Sequence, residues 1–119
     1  DGLAQVYVQG YDSAGKPEGG NFRPGGEGWG AHQLSPSLAS DHQGLSLALW
    51  EDYRWGRPKI YGQWLAGDSL HLGGNFPLED RSWPSIQLSP RVAADGKGRF
   101  SISWMEEREG DWDVWLKPW

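Results

Sequence analysis

The chain has no cysteine among its 119 residues, so neither a disulfide framework nor a thiolate zinc site is expected. No apolar run approaches the roughly 20 residues of a membrane-spanning helix, and membrane insertion is therefore not expected. The charge balance is mildly acidic, with a net charge of −5, and the basic residues are scattered. A nucleic-acid-binding surface needs clustered basic residues, so we expect no nucleic-acid partner.

Recognisable catalytic motifs are also missing. No phosphate-binding glycine loop, dinucleotide fingerprint or nucleophile–histidine–acid order stands out. The three histidines, His32, His42 and His71, show no metal-ligand spacing. We therefore predict a protein that is not an enzyme and that uses no cofactor.

Tryptophan and glycine are abundant, with nine and eighteen residues respectively. Apolar residues alternate with a period of two or run in short blocks, and no segment keeps a helical spacing. Rigid aromatic residues combined with many turn-forming glycines are typical of an all-β protein.

The sequence repeats itself at a spacing of 54 positions without gaps. Gly-Gly-Asn-Phe at 19–22 recurs at 73–76, and Gln-Leu-Ser-Pro at 33–36 recurs at 87–90. Trp50 and Trp104 are related by the same spacing. Such self-similarity predicts stacked supersecondary units, each unable to bury its apolar face alone.

Each unit is predicted to hold four short antiparallel strands, near 36–40, 45–51, 59–65 and 71–78, as in a β-propeller blade. The chain then divides into a partial repeat at 1–33 (strands three and four), a complete repeat at 34–87 and a partial repeat at 88–119 (strands one to three). Together they form one domain with two blades' worth of strands and one surplus third strand. Because a repeat array needs about three units, we expect completion by other copies, as a homo-oligomer, or by a longer parent chain.

The two predicted second strands differ. In the earlier one, Leu47 and Trp50 lie on opposite faces, so both faces can be covered. In the later one, Arg99, Ser101 and Ser103 make one face polar, which indicates a cap, a solvent boundary or a polar contact.

The repeat resembles a recurrent bacterial extracellular β-propeller repeat, of the kind found in sialidase-related and lectin-like propellers. The resemblance rests on Ser-Pro-Ser-Leu-Ala-Ser-Asp-His-Gln-Gly at 35–44, Trp-Glu-Asp-Tyr-Arg at 50–54 and Ile-Tyr-Gly-Gln at 60–63. The later copy fits at 89–98 and then departs, with Trp-Met-Glu-Glu-Arg at 104–108. A looser similarity is to small fucose-binding lectins, in which two-repeat chains associate into a propeller. The resemblance implies a scaffold or binding surface in a secreted or cell-surface bacterial protein.

The acidic residues allow several interpretations. Asp41 and Asp95 are predicted to stabilise tight turns through backbone N–H groups. Glu51 and Asp52, at the end of a strand, are candidates for a carboxylate–guanidinium clasp with Arg54, for a weak calcium site, or for an acid–base pair. Recurrence of the acidic pair in both units favours the clasp.

Aromatic residues divide into core, ligand and interface candidates. Trp50 and Trp104 are predicted to lie in the core. The candidate sugar contacts are loop residues and their neighbouring arginines: Trp29, Trp83, Trp55, Trp112, Arg54 and Arg108. The alternative is that these rings fill seams between blades or subunits. The candidate interface residues lie on copies of the third strand: Tyr7, Tyr11, Trp115 and Trp119.

These observations predict a non-catalytic extracellular binding and assembly module, completed by association with other chains and recognising carbohydrate. One alternative is a structural subunit of a surface layer or filament, joined by strand exchange. Another is the propeller fragment of a larger secreted hydrolase.

Overall fold

The computed structural model of the protein describes residues 2–26, 30–67, 71–79 and 85–119, and these residues form an all-β structure. The strands within them are β1 (Val8–Tyr11), β2 (Pro17–Phe22), β3 (Gln33–Ser40), β4 (Leu45–Asp52), β5 (Lys59–Ala66), β6 (His71–Pro77), β7 (Ile86–Ala94), β8 (Phe100–Arg108) and β9 (Asp111–Pro118). No helix long and apolar enough to cross a membrane occurs in this part of the chain.

The strands form three antiparallel sheets in chain order. The N-terminal sheet pairs β1 with β2, the central sheet has the order β3-β4-β5-β6, and the C-terminal sheet has the order β7-β8-β9. All neighbours in a sheet are consecutive in sequence, so the N-terminal sheet is a hairpin and the other two sheets are simple meanders.

The predicted strands of the central unit are present with small shifts of their ends. The largest difference is at β3, which begins at Gln33 and continues through a bulge between Leu34 and Ser37. Ser35 has a positive φ of 55° at this bulge, and Ser89 has the same φ at the equivalent bulge of β7. The bulge lets the strand pass Pro36, which has no N–H for the ladder.

Trp112 lies in strand β9, and the prediction that it lies in a loop was wrong. β8 and β9 are joined by a two-residue turn at Glu109 and Gly110, whose φ angles are 52° and 88°. Two successive positive φ values give a tight hairpin turn that continues the ladder without a loop. Trp112 therefore pairs directly with Glu107.

The sheets are stacked in chain order around two apolar clusters. The first joins the N-terminal and central sheets through Val6, Ala48, Trp50, Tyr61 and Leu65. The second joins the central and C-terminal sheets and contains Leu47, Leu49, Ile60, Leu78, Phe100, Ile102 and Trp104.

The two faces of each sheet are named by the residues that they carry. We call the face that carries Leu47 and Ile60, or the residues 54 positions from them, the forward face of the sheet. The opposite face, which carries Trp50 and Tyr61 or their equivalents, is its backward face.

The contrast predicted for the two second strands is confirmed. β4 is buried on both faces from Leu47 to Asp52, because a sheet lies on either side of it. In β8, Phe100, Ile102 and Trp104 are buried on the backward face, whereas Ser101 on the forward face is exposed. The central sheet is thus an interior layer among the described residues.

Candidate functional site

The ends of β4 and β8 each hold a buried carboxylate that binds an indole and a guanidinium. Asp52 accepts hydrogen bonds from Trp50 Nε1 at 2.8 Å and from Arg54 Nε and Nη2 at 2.9 Å each. The two nitrogens of Arg54 reach different carboxylate oxygens, so the pair is bidentate. The backbone N–H of Arg54 also donates to Asp52, at 2.9 Å, and this closes the turn after the strand.

Glu106 repeats the arrangement on the C-terminal sheet. It accepts hydrogen bonds from Gln87 Nε2 at 2.9 Å, Trp104 Nε1 at 3.3 Å and Arg108 Nε at 2.5 Å. The predicted carboxylate–guanidinium clasp is therefore confirmed, formed by Asp52 with Arg54 and by Glu106 with Arg108.

Both carboxylates stay ionised in spite of their burial. Desolvation raises the pKa of Asp52, but hydrogen bonds from Arg54 and Trp50 outweigh it and hold that pKa below its ordinary value. Desolvation likewise raises the pKa of Glu106, and hydrogen bonds from Gln87, Arg108 and Trp104 lower it overall. A general acid needs the opposite shift, so these carboxylates are suited to structure and not to proton donation.

Glu51 and Asp52, the calcium candidates, are not brought together. Glu51 lies on the forward face of β4 and accepts the backbone N–H of Ser89 at 2.7 Å, whereas Asp52 belongs to the clasp on the backward face. Among the described residues, no cluster of three or more histidine and acidic side chains is placed to hold a metal ion.

Each clasp arginine also covers an aromatic ring. The guanidinium carbon of Arg54 lies 3.8 Å from the centre of the Tyr61 ring, and that of Arg108 lies 4.8 Å from the Trp115 ring. Arg54 Nη1 also donates to Asn75 on β6, at 3.1 Å. The arginines predicted to contact sugar are thus engaged in joining strands within each sheet, and a sugar contact by either remains a prediction.

Trp55 is the exposed aromatic residue beside this cluster. It lies in the turn between β4 and β5 and is 70% exposed. Its indole Nε1 donates to the Tyr61 hydroxyl at 2.7 Å, and Tyr61 is itself held under Arg54. This hydrogen bond restrains the orientation of the ring although the ring faces solvent, which favours its use as a stacking platform.

Trp112, another predicted sugar contact, does not share this position. Trp112 lies on the exposed forward face of the C-terminal sheet, whereas Trp55 lies in the turn that follows β4 in the central sheet. Trp29 and Trp83 lie outside the described residues. All four tryptophans were predicted to contact sugar. Of the two that the structure describes, Trp55 is the one that bonds to a tyrosine beneath an arginine.

The candidate interface residues fall into two groups. Tyr7 and Tyr11 are exposed on the backward face of the N-terminal sheet. Trp115 stacks on Trp104 with 6.3 Å between ring centres, and Trp119 packs against Phe76 at 5.4 Å. The Trp115 contact lies within the C-terminal sheet, and the Trp119 contact joins that sheet to the central one. The involvement of all four residues in contacts between chains remains a prediction.

The predicted core and turn residues are confirmed. Trp50 and Trp104 are buried. Asp41 Oδ1 accepts the N–H groups of Gln43 and Leu45, at 2.7 and 3.1 Å. Asp95 Oδ1 accepts those of Lys97 and Arg99 at the same two distances.

Sequence reasoning found no role for two buried glutamines. Gln87 Oε1 accepts the N–H of Ile60 from the central sheet at 3.0 Å, while its Nε2 binds Glu106. Gln33 Nε2 lies 3.5 Å from Asp52 in the equivalent place. Both glutamines begin the repeated Gln-Leu-Ser-Pro segment, and this recurrence could have indicated a shared structural role. The sequence does not show that their side-chain amides reach the clasp carboxylates.

A groove of about 260 Å³ lies at the seam between the N-terminal and central sheets. It runs between β1 and β3, and its lining includes Tyr7, Gln9, Ser37 and Leu38. This mixture of one ring, two polar side chains and apolar walls makes the groove a second place where a small ligand would fit.

Comparisons of the chain with protein-family models, with curated proteins and with solved structures gave no match.

Proposed function

We propose that this chain is a non-catalytic extracellular binding module, built of propeller-type blades, that recognises carbohydrate through Trp55. The observation that carries the proposal is the Trp55–Tyr61–Arg54 arrangement, in which an exposed indole is held by a 2.7 Å hydrogen bond to a ring that lies under a guanidinium. An indole fixed in this way stacks on the apolar face of a pyranose without losing further side-chain freedom.

Binding is favoured over catalysis by the condition of the acidic groups. Asp52 and Glu106 are buried, and each is bound by several hydrogen-bond donors within its own sheet. Their lowered pKa values keep them ionised near neutral pH. Asp52 therefore serves to position the turn that carries Trp55, and Glu106 serves to hold the equivalent end of β8.

The propeller-type arrangement is supported by contacts that recur 54 positions apart. Gln87 N donates to Pro58 O at the seam of the central and C-terminal sheets, and Gln33 N donates to Ala4 O at the preceding seam. The clasps and aspartate turns recur at the same spacing. Consecutive sheets thus meet through equivalent groups, as blades of one propeller do.

The carbohydrate proposal is tested on an array of neutral and acidic pyranosides, followed by titration of the free methyl glycoside that binds best. We expect Trp55→Ala to lose at least about tenfold in affinity, which is the scale of one aromatic contact, and Trp55→Phe to keep part of it. Leu72→Ala is the control, since it removes an exposed apolar side chain that lies outside the Trp55 turn. The proposal is wrong if no pyranoside binds, or if Trp55→Ala binds like the unchanged chain.

A second function, that of a structural subunit that assembles with other copies, is favoured by a separate observation. The forward face of the C-terminal sheet exposes Val114 and Leu116 to solvent next to Trp112. An exposed apolar stripe of this kind supports a role in association.

A further inference from the structure

Consecutive sheets of the chain pack on one another in the same orientation. At the first seam, the forward face of the N-terminal sheet, with Val6 and Val8, packs on the backward face of the central sheet, with Trp50 and Tyr61. At the second seam, the forward face of the central sheet packs on the backward face of the C-terminal sheet. Both seams therefore join a forward face to a backward face.

The described residues leave one face of each kind exposed. Ile60, on the forward face of the central sheet, is 0% exposed, whereas its equivalent Val114 on the C-terminal sheet is 77% exposed. Tyr61, on the backward face of the central sheet, is 7% exposed, whereas its equivalent Tyr7 on the N-terminal sheet is 58% exposed. Positions that are buried at a seam are thus open at the two outer faces.

We propose that the exposed forward face of the C-terminal sheet of one copy docks on the exposed backward face of the N-terminal sheet of a second copy. The proposal rests on the assembly function and not on the sugar contact at Trp55. The contact is head-to-tail, because each copy contributes a different surface to each of its two neighbours. Repetition of such a contact produces a closed ring if the rotation closes and an open filament if it does not.

A second copy is the occupant that continues the two existing seams. The forward stripe consists of Trp112, Val114 and Leu116, which project from the same side of β9. The backward face offers the rings of Tyr7 and Tyr11, at the positions where the central sheet uses Tyr61 and Leu65 to contact its neighbour. Apolar side chains on one face and tyrosine rings on the other are the residue types found at the centres of protein interfaces.

The apolar stripe borders polar residues of the same face, where Ser101 is exposed and Arg99 pairs with Asp95, so the proposed contact is centred on β9. Glu107, beside Trp112, accepts the N–H of Gly110 at 2.7 Å, and Arg91 donates to the carbonyl of Pro90 at 2.8 Å. On the opposite face, the amide of Gln9 donates to the carbonyls of Gly10 and Gly19 within its own sheet, at 2.9 and 3.1 Å. Each of these groups keeps an internal hydrogen bond, and the charged groups of Glu107 and Arg91 must stay in contact with water when the copies dock.

The test uses two double variants and light scattering coupled to size-exclusion chromatography. Val114→Asp with Leu116→Asp disables the forward face, and Tyr7→Asp with Tyr11→Asp disables the backward face. We expect the unchanged chain to form multimers of its 13.3 kDa mass, and each double variant to be monomeric. Leu72→Asp, which alters an exposed apolar residue on the edge strand β6, is the control and keeps the mass of the unchanged chain.

Mixing the two double variants gives the decisive result. Each variant retains the face that the other lacks, so we expect a 1:1 dimer of twice the chain mass and no larger species. This outcome also shows that both variants are folded. The proposal is overturned if the unchanged chain is monomeric, if either double variant keeps its oligomeric mass, or if the mixture stays monomeric. Trp55→Ala is expected to leave the mass unchanged, so the sugar proposal and the docking proposal fail separately.

Discussion

At the scale of single residues, the clasps show how a buried charge is tolerated in a small β-protein. Asp52 has no exposed side-chain surface, yet the indole of Trp50 and both ends of the Arg54 guanidinium supply its hydrogen bonds. A buried ion pair adds little net stability, but removing one partner leaves an uncompensated charge. The clasp is therefore sensitive to substitution on either side.

Arg54→Met is expected to cost about 3 kcal/mol or more of the free energy of unfolding, since Asp52 would remain buried without its cation. Arg108→Met is the matched variant, and we expect it to cost less, about 1–2 kcal/mol, because Glu106 is also buried but water can take the place of the partly exposed guanidinium. The difference follows from exposure, because the Arg54 side chain is 5% exposed and that of Arg108 is 32% exposed. Urea denaturation of the two variants and the unchanged chain measures both values. Equal losses would contradict the argument from burial.

Asp52→Asn is expected to lower stability by about 3 kcal/mol at pH 7, because it removes the charge that Arg54 needs. The pKa of Asp52 is lowered in the folded chain, so its contribution is fully present above the unfolded pKa of about 4. It is lost as the pH falls through the lower folded value. Urea denaturation between pH 7 and pH 3 is therefore expected to show a narrowing gap between the variant and the unchanged chain. A gap that stays constant to pH 3 would assign the loss to altered packing.

At the scale of strands, glycine in the central sheet permits close packing across β5. A Cβ added at Gly62 would lie 2.8 Å from Phe76 Cζ and 3.0 Å from Leu49 Cδ2, both side chains in the layer between sheets. The space that Gly62 leaves is therefore filled by the ring of Phe76, which lies opposite it on β6.

Gly62→Ala is expected to destabilise the chain by about 1–3 kcal/mol, the usual cost of overpacking. Gly74→Ala in β6 is the control, because an added Cβ there meets no atom within 4 Å and its φ is not positive. We expect the control to change the free energy of unfolding by less than about 0.5 kcal/mol. Thermal and urea denaturation of both variants tests the pair. Equal effects would show that loss of glycine itself, and not the contact with Phe76, is responsible.

Much of this strand-level structure was predictable from sequence. The alternation in 45–51 and the turn residues at 41–44 predicted β4 and its hairpin, which extends from Leu45 to Asp52. The location of Trp112 was not predictable in this way, because the Glu109 turn is two residues long whereas the equivalent connection in the central sheet runs from Tyr53 to Pro58. The hydrogen bond from Trp55 to Tyr61 was also not predictable from the alternation of apolar residues, because it depends on how the turn folds back over the strand.

At the scale of the whole molecule, the three sheets differ in how completely they are covered. The central sheet has a neighbour on each face, whereas the N-terminal sheet has two strands and β2 is exposed along most of its length. A two-stranded ladder is marginal in isolation, so its stability depends on the packing of Val6, Val8 and Phe22 against the central sheet. The molecule is therefore expected to open from its N-terminal sheet.

Hydrogen exchange followed by mass spectrometry checks this expectation in dilute protein, where separate copies dominate. Backbone amides of β4 and β5 are expected to exchange slowest, because their ladder is buried between two sheets, and those of β1 and β2 to exchange at least about tenfold faster. Raising the protein concentration is expected to slow exchange in β1 and β9 and to leave β4 unchanged, since docking of copies covers only the outer faces. The Tyr7→Asp, Tyr11→Asp variant removes that concentration dependence and serves as the control. Uniform exchange across the three sheets would mean that the chain opens as one cooperative unit, and that the N-terminal sheet is held more firmly than its two strands suggest.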